Sequence, residues 1–168
     1  LLAEAVGVDS SARAPHPLNR YPAGLPAGLT ARALGFGGGG FTLDAACASS
    51  LYALELAARE LRTGRADAML AGGLSRPDCF YTQMGFSQLR ALSPDGVCSP
   101  FDRNGNGLVV GEGCGLFMLK RLDDARAAGD DIHGVLRAGG LSNDIEGNLL
   151  APSSEGQLRA MRAAYAAA

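Results

Sequence analysis

Tryptophan is absent, aromatic residues make up 6% of the 168 positions, and nowhere do about 18 apolar residues run together. Without such a run no transmembrane helix is expected. No charge of one sign dominates either: 15 Lys+Arg face 17 Asp+Glu, for a formal net charge of −2. That balance, with no basic cluster, lacks the electrostatic footprint of a nucleic-acid or anionic-membrane binder. Histidine is confined to His16 and His133, and the four cysteines (Cys47, Cys79, Cys98 and Cys114) contain no CxxC pair. This spacing argues against a structural zinc site, and no metal is expected. The opening residues carry no basic segment of a secretion signal, which points to free thiols in a reducing cytosol. The chain has no initiator Met and closes in a helical pattern, 157–168, without a stop signal. Both ends therefore read as cut, predicting a piece of a longer protein. Glycine is the one excess: 24 residues, about twice the usual share of roughly 7%.

The pattern alternates. A Pro-rich segment at 9–26 reads as linker or surface loop, and a helix is predicted over 27–34 with Gly35 as its left-handed terminator. Residues 41–43 read as a short strand. A helix follows over 48–61, its apolar face set by Leu51, Leu54, Ala58 and Leu61, with Glu55 and Arg59 placed to pair and Thr63-Gly64 to end it. The stretch 66–72 reads as a strand with 68–71 buried on both faces, giving a β–α–β unit with room for parallel pairing. A helix is predicted over 81–92, a turn at Ser93-Pro94-Asp95-Gly96, a strand within 108–119, a helix over 122–128 ending at Gly129, and a strand over 132–138. The stretch 141–152 reads as irregular, and Ser153-Ser154-Glu155 opens a last helix. Alternation of this kind is the mark of an α/β fold.

Three glycine-rich stretches each suggest a ligand and then fail the test. Gly37–Gly40 lacks the Gly-Lys-Ser/Thr ending of a phosphate loop, and the predicted strand follows it. Gly111-Glu112-Gly113-Cys114-Gly115-Leu116 departs from the dinucleotide fingerprint at its third glycine. Asp102-Arg103-Asn104-Gly105-Asn106-Gly107 opens like a calcium loop, but position 12 falls on Gly113, with Glu112 one residue off. Turns and close packing account for all three.

Cys47 stands apart from the other thiols. It lies in Asp44-Ala45-Ala46-Cys47-Ala48-Ser49-Ser50, at a predicted strand-to-helix junction where free N–H groups and the helix dipole favour a thiolate, with small neighbours leaving room for a substrate. A small buried cysteine at such a junction is also common. The motif Asp44-Ala45-Ala46-Cys47-Ala48-Ser49-Ser50-Leu51 resembles the active-site cysteine motif of β-ketoacyl synthases, including the ketosynthase domains of polyketide and polyunsaturated fatty-acid synthases. The resemblance extends in order through Leu70-Ala71-Gly72-Gly73, Met84-Gly85-Phe86-Ser87, Ala91-Leu92-Ser93, Ser99-Pro100-Phe101-Asp102, Gly111-Glu112-Gly113-Cys114-Gly115 and Lys120-Arg121-Leu122-Asp123-Asp124-Ala125. It is strongest over 19–168.

The resemblance implies a thiolase-like, layered α-β-α-β-α fold, present in part, with 1–168 a piece of one ketosynthase domain in a cytoplasmic homodimer. It implies that Cys47 accepts an acyl group from an acyl carrier protein, and that a malonyl-type extender loses CO₂ and attacks the acyl thioester. The Cys47 backbone N–H would be part of an oxyanion hole. No resident cofactor is implied, because phosphopantetheine is carried by the acyl carrier protein. The sequence departs from the family in lacking its two histidine motifs, His-Ala-Thr-Gly-Thr-like and Asn-x-Gly-His-like; His16 and His133 fit neither. The chain alone is therefore expected to be inactive. Two alternatives stay open: a non-catalytic subunit or truncated relic, and a thiolase-type acyltransferase.

Overall fold

A computed structural model describes residues 24–76, 80–145 and 153–168. The chain divides into two units, Leu1–Ser49 and Ser50–Ala168. In the first, helix α1 spans Leu25–Ala33, with Pro26 in its opening turn, where a missing N–H costs nothing. Its end is a Schellman motif: Gly35, at φ 69°, donates to the Arg32 carbonyl, and Phe36 donates to Ala31. Of the four-glycine run, only Gly40 has a close neighbour among the described residues. A Cβ there would lie 3.3 Å from the Ala27 carbonyl oxygen, so the chain returns over the first turn of α1. The strand expected at 41–43 does not form; those residues have no regular structure and no ladder partner among the described residues. A 3₁₀ turn, Ala46–Ala48, leads directly into helix α2, Ser49–Arg62.

In the second unit α2 buries Ala57 and Leu61. The predicted helix is thus displaced by one residue at each end. Gly64, at φ 71°, and Arg65 close it with the same Schellman pair of bonds, to Leu61 and Glu60. The expected Glu55–Arg59 pair is replaced: Glu55 reaches two turns along to Arg62, at 2.7 Å, while Glu60 binds Arg65 at 2.6 Å. Strand β1, Ala68–Ser75, pairs antiparallel with β2, Gly113–Lys120, from Ala68 opposite Lys120 to Ser75 opposite Gly113. The parallel β–α–β unit read from the sequence is therefore corrected. Its first strand is absent, and the partner of 68–75 comes from far downstream. Ala71 is buried, but Ala68 is exposed and Met69 and Leu70 are half-buried, so two-sided burial of 68–71 is not observed.

Glycine sets how close the elements come. At Gly72 a Cβ would sit 2.0 Å from the Gly115 oxygen, and at Gly73 it would sit 2.9 Å from Ser50 Cβ. The sheet can thus approach both its second strand and the first turn of α2. Helix α3, Phe80–Gln88, is shorter than the predicted 81–92 because Arg90 turns left-handed, φ 53°, and ends it through Arg90-to-Ser87 and Ala91-to-Phe86 bonds. Helix α4, Leu122–Ala128, has the predicted bounds, with Gly129 at φ 70° as its stop. The strand predicted over 132–138 does not form; those residues have no regular structure and no ladder partner among the described residues. That segment leads to Gly139, against the Glu55 carboxylate of α2, and to Gly140, against the Ala160 carbonyl of helix α5, Ser154–Ala167. Asp144 accepts the Ser153 N–H at 2.9 Å and Ser142 donates to the Gly156 carbonyl at 2.5 Å, which ties the start of α5 to this segment. The linker reading of 9–26 and the end of the irregular stretch at 141–152 lie largely outside the described residues.

Arg121 joins three of these pieces. Its Nη1 donates to the Leu61 and Ala66 carbonyls, at 3.1 and 2.7 Å, its Nη2 to Asp67 at 2.8 Å, and its Nε to Asp124 at 2.5 Å. The end of α2, the approach to β1 and the start of α4 share one guanidinium. Its carboxylate partners, Asp67 first and Asp124 second, raise its pKa.

Candidate active site

The sequence of the Cys47 turn explains its shape. Asp44 is a residue whose carboxylate can accept from the backbone two positions on, and it does so: Oδ1 takes the Ala46 N–H at 2.8 Å. Ser49 reaches back, accepting the Ala45 N–H at 2.9 Å and donating to the Ala46 carbonyl at 2.7 Å. The Ala48 N–H closes the 3₁₀ turn on Ala45 at 3.1 Å. Between these ties Ala46 adopts φ 49°, a left-handed conformation that alanine avoids. Cys47 follows it, exposed, and among the described residues its backbone N–H has no acceptor.

This differs from the expectation in one respect. The residue leads out of irregular backbone and a 3₁₀ turn rather than out of a strand. The helix on its other side is as expected, and the side chains of Ala45, Ala46 and Ala48 are small. A free thiol beside an N–H that has no acceptor among the described residues is the pairing that thioester chemistry needs. Sulfur attacks the carbonyl carbon, and a backbone donor meets the negative oxygen that results.

The other candidates lie elsewhere. Cys98 and Cys114 are free and exposed; Cys79 and His16 lie outside the described residues. His133 lies outside any helix or strand, with Nε2 3.9 Å from Asp131 Oδ2. Among the described residues no three His, Cys, Asp or Glu side chains are placed to hold a metal, and no helix is long and apolar enough to cross a membrane. The calcium-like loop is built as a turn: Asp102 accepts the Asn104 N–H at 2.8 Å, and Gly105 packs on the Ser99 carbonyl.

Sequence reasoning passed over a polar knot just before that loop. Ser93 Oγ lies 2.6 Å from Asp95 Oδ1 and 2.7 Å from Asn106 Oδ1, and its single proton favours the carboxylate. Asn106 Nδ2 donates to Asp95 Oδ2 at 2.9 Å, and the Val97 N–H donates to Oδ1 at 3.1 Å. The Ser93 hydroxyl above all, then the Val97 N–H and Asn106, hold the Asp95 carboxyl below its ordinary range. A parallel bridge from Leu92 to Leu108 closes the knot. Gly107 fits there because a Cβ would strike the Ser93 nitrogen at 2.4 Å. The turn signature at 93–96 was legible; its partner eleven residues on was not.

Comparison with known proteins gives the family of the chain. The family described as "Beta-ketoacyl synthase, N-terminal domain" matches residues 4–125. The chain belongs to the β-ketoacyl synthase family. A "PKS-NRPS hybrid synthetase ATPKS" of Aspergillus niger is 41% identical over 152 residues, which are 90% of this chain and 8% of that protein. Among solved structures, a "PfaC Keto synthase-Chain length factor" is 46% identical with TM-score 0.83, covering 90% of this chain and 17% of that one. The ketosynthase from module 6 of the bacillaene synthase of Bacillus subtilis 168 is 36% identical with TM-score 0.82, covering 88% and 27%. The fold is therefore the thiolase-like ketosynthase fold, present in part. The chain spans less than a tenth of the first curated relatives it matches.

Proposed function

We propose that Cys47 is the acyl-accepting nucleophile of a condensing enzyme, a 3-oxoacyl-[acyl carrier protein] synthase acting in polyketide or polyunsaturated fatty-acid assembly. The observation that carries this reading is the exposed Cys47 thiol beside its own backbone N–H, which has no acceptor among the described residues, in a chain of this family. The Cys47 thiolate attacks the thioester of an acyl group delivered on the phosphopantetheine arm of an acyl carrier protein. A C–S bond to Cys47 forms, the C–S bond to the carrier breaks, and the carrier leaves as its thiolate. A malonyl-type extender on the carrier then loses CO₂, and the resulting carbanion attacks the acyl-Cys47 carbonyl. A C–C bond forms, Cys47 leaves as thiolate, and the carrier holds a 3-oxoacyl chain. Sulfur suits both halves, being a strong nucleophile and a good leaving group. The Cys47 N–H faces the oxyanion in each.

The same reading makes 1–168 part of one ketosynthase domain that works as a homodimer in the cytoplasm. It leaves the chain alone inactive, because the family's two histidine motifs are not in its sequence. The test is Cys47→Ala in a complete ketosynthase carrying this sequence. Acyl-enzyme formation and condensation should both vanish, and mass spectrometry of the parent should place the acyl group on the Cys47 peptide. Chain extension at the parent rate by Cys47→Ala would refute the assignment. Turnover by the 168-residue chain alone would refute the expected inactivity.

A further inference from the structure

The ties around Ala46 have a consequence one residue further on. The Ala46 carbonyl and the Cys47 N–H belong to one peptide group, which is planar and trans, so its C=O and N–H point in opposite directions. Whatever holds that oxygen aims that hydrogen. Ser49 holds it, with the hydroxyl at 2.7 Å and with its own backbone N–H, which also donates to Ala46. The other polar group of Ala46, its N–H, is taken by Asp44. The peptide plane before Cys47 is thereby held at its carbonyl by Ser49 and the preceding Ala45–Ala46 plane at its N–H by Asp44, so both planes that meet at Ala46 are tied, at a residue whose φ of 49° would relax if released.

We infer that Ser49 is a positioning residue for the Cys47 oxyanion donor: through the Ala46–Cys47 peptide plane, its hydroxyl orients the Cys47 N–H toward the oxygen of an acyl group on Cys47. Asp44 acts one plane earlier, holding the Ala45–Ala46 peptide through the Ala46 N–H and with it the φ of Ala46, about which the two planes meet. The inference rests on Cys47 being the nucleophile. It adds that the donor's direction is set by a side chain that does not touch the substrate. The hydroxyl also polarises the peptide group it binds, so the N–H opposite becomes a better donor.

The two chemistries of a thiol separate this role from a general structural one. Alkylation by iodoacetamide needs an accessible thiolate and develops no oxyanion, whereas acylation by a thioester develops one. In a complete ketosynthase carrying this sequence, Ser49→Ala should slow acylation of Cys47 by at least about tenfold, a fraction of the roughly 10²–10³ lost when such a donor is removed outright. The loss should fall on kcat rather than KM, with alkylation of the Cys47 peptide within about twofold of the parent. Ser49→Thr, which keeps the hydroxyl, should restore acylation. Asp44→Ala should give the same selective loss, and it decides the matter if Ser49→Ala does not fold. Parental acylation in the folded variant, or equal losses of acylation and alkylation, would overturn the inference. Acylation that persists in Cys47→Ala would instead overturn the functional reading, so the two failures are distinct.

Discussion

Gly73 lies on β1 with no room for a side chain, and replacing it tests how α2 is seated. A Cβ at this position would lie 2.9 Å from Ser50 Cβ and 3.6 Å from Ser50 Cα. Carbon atoms in contact settle at about 3.5–4.0 Å, so Gly73→Ala requires the two to separate by about 0.6 Å or more. Ser50 Cβ is bonded directly to the backbone, so no rotamer relieves the clash; either β1 or the first turn of α2 must move. Overpacking of this kind costs about 1–3 kcal/mol. The alanine recovers about 0.4–1 kcal/mol by restricting the unfolded chain. The net loss is then about 0.5–2 kcal/mol. At about 2–4 °C per kcal/mol for a domain of this size, the melting temperature should fall by about 1–8 °C. Ser50 follows Cys47 by three residues, and displacements approaching 1 Å in a catalytic array can cost about 10²-fold. Condensation by a complete ketosynthase carrying Gly73→Ala should therefore drop by about tenfold. Gly85→Ala is the control: it lies within α3, has no atom within 4 Å of a built Cβ, and should leave the melting temperature level or higher. Thermal unfolding by circular dichroism beside a condensation assay decides it. A Gly73→Ala protein that melts with the parent and condenses at the parental rate would refute the steric argument.

Two other perturbations follow from the polar contacts. The Asp95 carboxyl, held below its ordinary value of 3.8 by Ser93, Val97 and Asn106, stabilises the 93–108 loop above the unfolded-state pKa, and that stability is lost as pH falls through the lower folded-state value. An NMR titration should place its midpoint below the ordinary value, with Ser93→Ala raising it most; a midpoint at or above the ordinary value would contradict the network. Arg121→Lys should lower the melting temperature, because a single ammonium cannot reach two carbonyls and two carboxylates in the guanidinium's fixed plane. A lysine variant as stable as the parent, compared by thermal unfolding, would show that the fork geometry contributes nothing.

Helices were legible where the cue was local. The apolar stripe of α2 fixed it to within one residue, and the glycines at 35, 64 and 129 each end a helix in the left-handed conformation that glycine allows. Arg90 does the same work with a side chain, so nothing in its residue type announced the early end of α3. Strand pairing is decided at a distance. The run at 68–75 showed its apolar character but not that its partner would be 113–120, antiparallel. The runs at 41–43 and 132–138 have strand-forming side chains and no ladder partner among the described residues. At the site, the motif singled out Cys47, and Asp44 is a recognisable turn residue. The back-bonding of Ser49 depends on a left-handed alanine, and no pattern in the sequence points to one there.

The open faces of β2 bear on how this polypeptide meets a second copy of itself. Leu116, Phe117 and Met118 remain about half exposed, and among the described residues the strand has a neighbour on one edge alone. A short β-run charged at its last residue alone, with one edge unpaired among the described residues, is a template on which a second copy can stack. Its sequence carries partial protection: glycines at 113 and 115 weaken the strand at one end, and Lys120 sets a charge at the other. Resistance of this surface to self-association then rests on those flanking residues.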